Sequence, residues 1–254
     1  MKVTFLGTGT SQGVPLIGCN CEVCISDDKR NNRLRSSLMI ETDGVQFVID
    51  TGPDFRYQML RSNTRHLDSI LFTHSHKDHI AGLDDVRAFN YFSQKPIDVF
   101  ATIETQHALR REYAYIFENP NYPGIPQIHL NTIQDYETFD MFGVTITPIK
   151  VRHYQMEVLG FRIKDFTYIT DANFIEEKEL EKIKGSKAFV LNALRHEKHI
   201  SHFTLSEAIE IAEKINPTQT YFTHISHQLG LHDVIDASLP KGMNLAYDGL
   251  ILSL

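Results

Sequence analysis

The sequence predicts a mixed α/β fold in which helices and sheets form layers. Three observations predict it: an apolar hairpin near the start, helical segments that later alternate with apolar extended ones, and polar residues directly after several strands. Hairpins followed by helix–strand alternation are typical of layered α/β domains. The 254 residues, 42% of them hydrophobic, can bury a large core. We find no repeat or linker and expect one domain over residues 1–254.

The first half begins with a short strand and a hairpin. Residues 3–6 form the predicted strand, and Asp43-Gly44 separates the apolar runs Ser37–Thr42 and 45–50, which is a strong hairpin signal. The remaining predicted elements are a strand over residues 69–73, helices over residues 80–92 and 102–117, and a turn-rich segment over residues 119–126.

The second half alternates strands with helices. A capping box at Thr204 and Glu207 begins an amphipathic helix, which Asn216-Pro217 ends. The other predicted elements are strands over residues 144–151, 158–164, 166–170, 188–193 and 221–223 and a charged helix over residues 176–184. Because His153 and His224 follow strands closely, a rigid sheet can hold them in fixed positions.

The composition argues against several classes of protein. The formal charge of −7 disfavours generic binding to nucleic-acid polymers or anionic membranes. No apolar run approaches the roughly 18 residues of a membrane helix, and the start lacks the apolar stretch of a signal peptide. We therefore expect a soluble, cytoplasmic protein with no membrane partner. The 13 histidines beside 14 glycines are unusual and suggest a metal or acid–base site.

The three cysteines, Cys19, Cys21 and Cys24, lie within six positions of the chain. An odd number of cysteines without a signal peptide argues against a secreted disulfide framework. Such crowding indicates a thiolate metal site that still lacks its fourth ligand, with ordinary free thiols as the alternative.

A histidine-rich motif directly follows a predicted strand. It reads H-x-H-x-D-H, through His74, His76, Asp78 and His79. In an extended segment residues two apart point the same way, so His74, His76 and Asp78 can converge, while His79 enters from the adjacent turn. Four ligands exceed what one catalytic metal with an open position usually takes. The motif therefore predicts two metal ions, provided that later segments supply more ligands.

This motif resembles the signature of the metallo-β-lactamase superfamily of binuclear hydrolases. Further motifs of that superfamily occur in order at Asp50-Thr51-Gly52, His153, Asp171 and His224, and the resemblance runs from Met1 to Leu254. It implies an α/β fold built as a four-layer αββα sandwich. By the family pattern, one metal is held by His74, His76 and His153 and the other by Asp78, His79 and His224, while Asp171 bridges them and Asp50 supports the site.

Within the superfamily, the chain most closely resembles the phosphoribosyl 1,2-cyclic phosphate phosphodiesterases. The segment from Cys19 to Cys24, the stretch His224-Ile225-Ser226-His227 and residues 239–249 carry this resemblance. In that family three cysteines and the second histidine of the stretch hold a structural zinc. The resemblance thus implies a Cys₃His zinc site made of Cys19, Cys21, Cys24 and His227, which supplies the missing fourth ligand.

The resemblance implies a phosphoric diester hydrolase with two divalent ions, Mn²⁺ or Zn²⁺, in its active site. Such ions bridge a hydroxide and neutralise charge on phosphoryl oxygens, and the expected substrate is a small, cyclic, ribose-type phosphodiester. Asp78 and His202 are the expected catalytic residues, with His202 acting either as an acid or as a transition-state stabiliser. Arg33 and Arg35 could contact a substrate phosphate, but surface arginines are the more frequent case. Related enzymes also suggest a homodimer.

Three other functions stay open at this point. A transfer-RNA 3′-processing endonuclease shares the motif and a histidine like His202, but its gripping arm would lie between His153 and Asp171, where only residues 154–170 are available. The negative net charge also disfavours a nucleic-acid polymer as partner. A thioester hydrolase of the glyoxalase II type would lack the cysteine cluster. A non-catalytic metal-binding module would be expected to have lost a ligand, and every expected ligand is present.

Overall fold

In the computed structural model of the chain, which describes residues 1–118 and 124–254, fifteen strands form two sheets. Their bounds are β1 Lys2–Gly7, β2 Ser37–Thr42, β3 Val45–Ile49, β4 Ser69–Leu71, β5 Ile97–Ala101, β6 Ile128–Thr132, β7 Phe139–Met141, β8 Val144–His153, β9 Met156–Ile163, β10 Phe166–Tyr168, β11 Phe174–Ile175, β12 Ala188–Asn192, β13 Gln219–Thr223, β14 Met243–Leu245 and β15 Ile251–Ser253. The turn-rich segment predicted over residues 119–126 lies mostly outside the described residues.

Both sheets combine antiparallel and parallel strands. The first has the order β15-β1-β2-β3-β4-β5-β6, and the second has the order β11-β8-β9-β10-β12-β13-β14 with β7 beside β8. In the first sheet β3 to β6 are parallel, and in the second β10 and β12 to β14 are parallel. The hairpin predicted around Asp43-Gly44 is confirmed, with Leu38 opposite Ile49 and Thr42 opposite Val45.

Helices cover the outer face of each sheet. Their bounds are α1 Phe55–Arg61, α2 Lys77–Ile80, α3 Arg87–Ser93, α4 Ile103–Glu112, α5 Ala114–Glu118, α6 Glu177–Ile183, α7 Leu205–Ile215 and α8 His232–Ser238, with 3₁₀ turns over Lys29–Asn31, Leu83–Val86 and His227–Leu229. The predicted capping box is confirmed, because Thr204 caps α7 and the Glu207 side chain returns to the backbone of Thr204. None of the helices in the described residues is long and apolar enough to cross a membrane.

Three separate hydrophobic cores define four layers. The central core lies between the two sheets and contains Phe5 and Phe161. A second core lies between the first sheet and α1, where Phe55 is buried, and a third lies between the second sheet and α6 and α7. Neighbouring residues of β12 face different cores, since Phe189 belongs to the third and Val190 to the central one. The expected four-layer αββα architecture is confirmed.

The two helices predicted in the first half are each interrupted. Residues 80–92 form the end of α2, a 3₁₀ turn and α3. At the first break a Cβ atom on Gly82 would come within 2.2 Å of the Gly52 carbonyl oxygen, so the close approach of two loops takes precedence over a continuous helix. The second predicted helix breaks at Tyr113, whose hydroxyl donates to the Ile80 carbonyl at 2.7 Å.

Three residues that follow strands have a left-handed backbone. Asp50 follows β3 with φ 65°, Asp171 comes shortly after β10 with φ 53°, and His224 follows β13 with φ 56°. Aspartate and histidine adopt this conformation more readily than most other non-glycine residues. The turns direct polar side chains of both sheets toward one end of the sandwich, where the motif histidines also lie.

Candidate metal centre

The H-x-H-x-D-H segment connects β4 to α2 and changes from extended to helical backbone within the motif. His76 is the extended N-terminal cap of α2, and Asp78 and His79 lie in its first turn. The expectation of an extended segment therefore holds up to His76 and is wrong for Asp78. Gly52 packs against this turn, since a Cβ atom on it would lie 2.2 Å from the Asp78 carbonyl oxygen. Only glycine fits at that position.

Asp50 orients His79. Its Oδ2 lies 2.7 Å from His79 Nδ1 and accepts from the Thr73 hydroxyl at 2.8 Å, while its Oδ1 accepts from the Thr73 N–H at 2.8 Å. A carboxylate bonded to one imidazole nitrogen fixes the tautomer and directs the other nitrogen toward a metal. Asp50 thus lies where the resemblance implies, behind a metal ligand. The hydrogen bonds from Thr73 to Asp50 were not predicted. The position of Thr73 directly before the motif is the feature of the sequence that could have indicated them.

One group of potential ligands consists of Asp78, His79, Asp171 and His224. Their nearest ligand atoms all lie within 4.8 Å of one another. His79 Nε2 lies 3.2 Å from both Asp78 Oδ2 and Asp171 Oδ2, and Asp171 Oδ2 lies 3.2 Å from His224 Nδ1. The structure therefore brings together the residues expected to hold one metal and its bridge.

The second group is centred on His74, His76 and His153. The ring centroids of His74 and His76 are 4.6 Å apart, and those of His76 and His153 are 5.1 Å apart. His153 also has a ligand atom within 4.8 Å of Asp171 and of His202. Asp171 is thus common to both groups, as expected of a bridging carboxylate.

Residues outside the predicted set position these ligands. His153 Nδ1 lies 2.9 Å from the Ser201 carbonyl oxygen, to which it donates. Ser36 Oγ and Thr10 Oγ1 lie 3.3 Å from Nδ1 and Nε2 of His224, respectively. Ser36 and Thr10 are 188 and 214 residues away from His224 in the sequence, so no local pattern marks them.

Buried nitrogens without partners fit a metal centre. In the described residues, Nε2 of His74 is buried and makes no hydrogen bond, and the buried Nε2 of His79 meets hydrogen-bond geometry with neither of the two carboxylates at 3.2 Å. Buried polar atoms normally have a partner, because leaving one unsatisfied costs about 1–3 kcal/mol. Imidazole nitrogens and carboxylate oxygens are ligands of Zn²⁺ and Mn²⁺. The residues present therefore fit divalent ions.

The charges of this cluster depend on one another. Burial opposes ionisation of Asp171, but the neighbouring His224 and His79 outweigh it and hold the pKa of Asp171 well below its usual range. Burial also opposes protonation of His79, but Asp171, Asp50 and Asp78 hold the pKa of His79 well above its usual value. The imidazole and the carboxylates of this buried cluster thus favour each other's charged forms.

His202 lies beside the ligand cluster and is 8% exposed. Its ring stacks on that of His224, with centroids 4.8 Å apart. Its Nδ1 lies 3.9 Å from Asp171 Oδ1 and has no hydrogen-bond partner in the described residues. Burial, followed by the nearby His224, lowers the pKa of His202 to about 2. The imidazole is therefore neutral at physiological pH and can donate a single N–H.

The cysteine cluster assembles with His227, as the resemblance implies. The ligand atoms of Cys19, Cys21, Cys24 and His227 lie within 4.8 Å of one another, with His227 Nδ1 3.3 Å from Cys21 Sγ. The His227 hydrogen bond lowers the pKa of Cys21 to about 6, whereas burial raises that of Cys24 to about 11. Three thiols and one imidazole are a normal set of ligands for structural zinc. Because His227 lies three residues after His224, this cluster joins the N-terminal loop to the metal centre.

Arg33 and Arg35 already have partners within the chain. Arg33 is 3% exposed and donates to the Thr8 hydroxyl at 2.8 Å and the Ala246 carbonyl at 2.5 Å. Arg35 pairs with Asp54 at 3.3 Å. The expectation of a surface arginine is wrong for Arg33, because its guanidinium is a buried link between distant segments.

Comparison with known proteins identifies the family. The model described as the beta-lactamase superfamily domain matches residues 46–225, and this chain belongs to that superfamily. The chain is also similar in sequence and in fold to a protein whose crystal structure is described as that of a new diphosphatase from the PhnP family. That protein is 39% identical, with a TM-score of 0.93 over 100% of this chain and 97% of its own.

Two further proteins are similar to this chain, one in sequence and one in fold. An octanoyltransferase of Porphyromonas gingivalis is 36% identical over 252 residues, which are 98% of this chain and 51% of that protein. The chain thus spans about half the length of this curated relative. The short form of human tRNase Z has a TM-score of 0.72 over 100% of this chain and 99% of its own, at 16% identity, which shows a common fold alone.

The predicted superfamily is confirmed, and the structural similarity confirms the metallo-β-lactamase fold. This fold implies divalent metals, which agrees with the donor atoms found at the centre.

Proposed function

We propose that this chain is a phosphodiesterase that uses two divalent ions to hydrolyse a small, cyclic, ribose-type phosphate ester. The observation that carries the proposal is the position of Asp171. Its Oδ2 lies 3.2 Å from His79 Nε2 and from His224 Nδ1, while its Oδ1 lies 3.9 Å from His202 Nδ1. A carboxylate placed between two sets of ligands can hold two ions close together. Similarity to a protein described as a diphosphatase adds support for chemistry at phosphorus.

The proposed ligands divide as the superfamily pattern implies. His74, His76 and His153 would hold one ion, Asp78, His79 and His224 the other, and Asp171 both. Two divalent ions bound there would activate a water nucleophile and offset negative charge on the phosphoryl oxygens. Cys19, Cys21, Cys24 and His227 would hold a third, structural zinc.

Residues of the protein position a metal ligand and supply hydrogen-bond acceptors and donors at the centre. Asp50 holds the His79 ring in place through a 2.7 Å contact. Burial opposes ionisation of Asp78, but His79 outweighs it and lowers the Asp78 pKa, so this carboxylate can accept a hydrogen bond from a water nucleophile. His202 is neutral and stands beside Asp171. We therefore assign His202 to transition-state stabilisation through its N–H rather than to proton donation.

A transfer-RNA-processing nuclease is the weaker candidate. The gripping arm of that class would lie between His153 and Asp171. Most residues of this interval belong to β9 and β10, which are strands of the second sheet. Little chain is left there to form an arm, which favours a small substrate.

The proposed activity depends on metal. Metal-loaded protein is expected to hydrolyse bis(p-nitrophenyl) phosphate and adenosine 2′,3′-cyclic phosphate at least about a hundredfold faster than metal-stripped protein, because the ions contribute several kcal/mol of charge stabilisation. Release of p-nitrophenol and chromatography of the nucleotide measure the two rates, and adding back Mn²⁺ or Zn²⁺ should restore them. Equal turnover without metal would contradict the proposal. Faster cleavage of precursor transfer RNA than of cyclic phosphates would favour the nuclease.

Removing the His202 imidazole is expected to slow the chemical step without loss of metal. His202→Ala should lower kcat about a hundredfold with little change in KM, and His202→Gln, which keeps an N–H donor, should retain more activity. His196→Gln, an exposed histidine of the same loop, is the matched control. A proton donor would behave differently: its loss would be larger for an alkyl leaving group than for p-nitrophenol, and glutamine would not restore activity. Lower metal content in His202→Ala would instead make this residue a ligand.

A further inference from the structure

A buried carboxylate near the C-terminus, that of Asp248, joins segments that are far apart in the sequence. Its side chain is 4% exposed. Its Oδ1 accepts from the Thr8 hydroxyl at 2.8 Å, and its Oδ2 accepts from the Leu34 N–H at 2.9 Å and from Arg61 Nη1 at 3.1 Å. Asp248 is neither a proposed metal ligand nor a proposed catalytic residue. Its three donors show that it holds separate parts of the chain together.

The Thr8 hydroxyl lies between two charged groups and is fully buried. It accepts from Arg33 Nη1 at 2.8 Å and donates to Asp248 Oδ1 at 2.8 Å. A guanidinium can only donate and an ionised carboxylate can only accept, so the direction of both hydrogen bonds is determined. Hydrogen bonds with a charged partner are also stronger than those between neutral groups. The position of Thr8 is therefore fixed from both sides.

The loop after β1, to which Thr8 belongs, pairs with the chain next to His224. The Thr8 carbonyl accepts from the Ile225 N–H at 2.9 Å, and the Thr10 N–H donates to the Ile225 carbonyl at 3.1 Å. His224 directly precedes Ile225 and has the left-handed φ of 56°. Such a conformation is strained for a residue with a side chain and persists only where the surrounding contacts determine it. The two hydrogen bonds at Ile225 supply contacts of this kind.

The same loop also contacts the segment that supplies Ser36. The Gly9 N–H donates to the Leu34 carbonyl at 2.7 Å, and the Gly9 carbonyl accepts from the Ser36 hydroxyl at 3.0 Å. Ser36 Oγ in turn lies 3.3 Å from His224 Nδ1. A displacement of this loop would thus reach His224 both at its ring and at its backbone.

We propose that Asp248 is a positioning residue for His224 and acts through Thr8 on the affinity of the centre for the ion that His224 would hold. This inference rests on the proposed binuclear metal site and adds to it a residue from the C-terminal end of the chain. Thr8 is the connection, because its side chain bonds to Asp248 and its backbone bonds to Ile225.

Asp248→Asn tests this inference, because asparagine keeps the shape but replaces one accepting oxygen with a donor. It is expected to weaken the binding of one of the two catalytic ions about tenfold, as is typical when an outer partner of a metal ligand is lost, and to leave the structural zinc bound. Titration of the protein with Mn²⁺, with free Mn²⁺ measured by electron paramagnetic resonance, gives the affinity, and elemental analysis gives the zinc content. The Mn²⁺ concentration for half-maximal hydrolysis should rise by the same factor.

Two variants of Thr8 test the connection. Thr8→Val removes the hydroxyl and should weaken Mn²⁺ binding as Asp248→Asn does, whereas Thr8→Ser keeps the hydroxyl and should stay within about twofold of wild type. Combining Thr8→Val with Asp248→Asn should add less than about twofold, because both changes break the same hydrogen bond.

Asp68→Asn is the matched control. Asp68 also accepts from a backbone N–H, that of Gln46 at 2.8 Å, but it directly precedes β4, whereas the metal motif follows that strand. Its replacement should leave Mn²⁺ affinity within about twofold of wild type, because no contact leads from it to a metal ligand through the loop after β1.

The inference is overturned if Asp248→Asn or Thr8→Val binds both catalytic ions as tightly as wild type does. Loss of the structural zinc together with the catalytic ion would show a general structural defect and would overturn it as well. A Mn²⁺-loaded wild-type protein that hydrolyses no phosphodiester would refute the proposed function alone, since the titration tests the role of Asp248 without any substrate. A wild-type protein that binds no Mn²⁺ would overturn both.

Discussion

Asp171→Asn is expected to reduce metal-dependent phosphodiester hydrolysis at least about a thousandfold and to lower the metal content of the purified protein. The Asp171 carboxylate lies between His79 and His224 and is common to both groups of ligands. Asparagine has the same shape but no charge, so it cannot serve two cations. It also tolerates a left-handed backbone, and the turn should therefore keep its conformation.

Kinetics with bis(p-nitrophenyl) phosphate and elemental analysis measure the two effects of Asp171→Asn. Asp165→Asn is the matched control, because it removes a half-exposed carboxylate at the opposite end of β10, where it pairs with Lys187. It should leave activity and metal content as they are. An Asp171→Asn protein with full metal content and activity within about tenfold of wild type would contradict the role given to Asp171.

Cys21→Ser is expected to remove one zinc ion from each chain and to lower the free energy of unfolding by about 2–4 kcal/mol. Wild-type protein should contain about three metal ions, two catalytic and one structural. Serine is a poor ligand for zinc, and the remaining Cys19, Cys24 and His227 leave the site one donor short. Because the loop of this site continues into Thr10, which contacts His224, we also expect weaker catalytic metal binding.

Elemental analysis and chemical denaturation measure the effect of Cys21→Ser. His66→Gln changes an exposed histidine outside both clusters and should leave metal content and unfolding unchanged. A wild-type protein with two metal ions, or a Cys21→Ser variant with three, would show that the cysteines hold no structural zinc.

Features that depend on short-range chemistry could be predicted from the sequence. The Asp43-Gly44 turn sets its own backbone conformation, and the Thr204 capping box completes its hydrogen bonds within four residues. The H-x-H-x-D-H motif likewise holds its ligands close together along the chain. The later ligands, such as Asp171, depended on their order after strands and on the resemblance to a known superfamily.

Features that depend on contacts between distant segments could not be predicted. The break at Gly82 follows from the approach of Gly52, and the burial of Arg33 follows from acceptors such as Ala246. The strand β6 has no fully buried residue and lacks the alternation that marks a half-buried strand.

The left-handed turns at Asp50, Asp171 and His224 place stability and activity in opposition at the same positions. Each such conformation costs on the order of 1 kcal/mol for a residue with a side chain, and glycine would relieve it. Glycine would also delete a group on which the metal centre depends. Selection for a more stable fold and selection for metal binding therefore favour different residues at these three positions. If a descendant of this protein no longer needed its metal centre, these turns are where replacement by glycine would first be favoured.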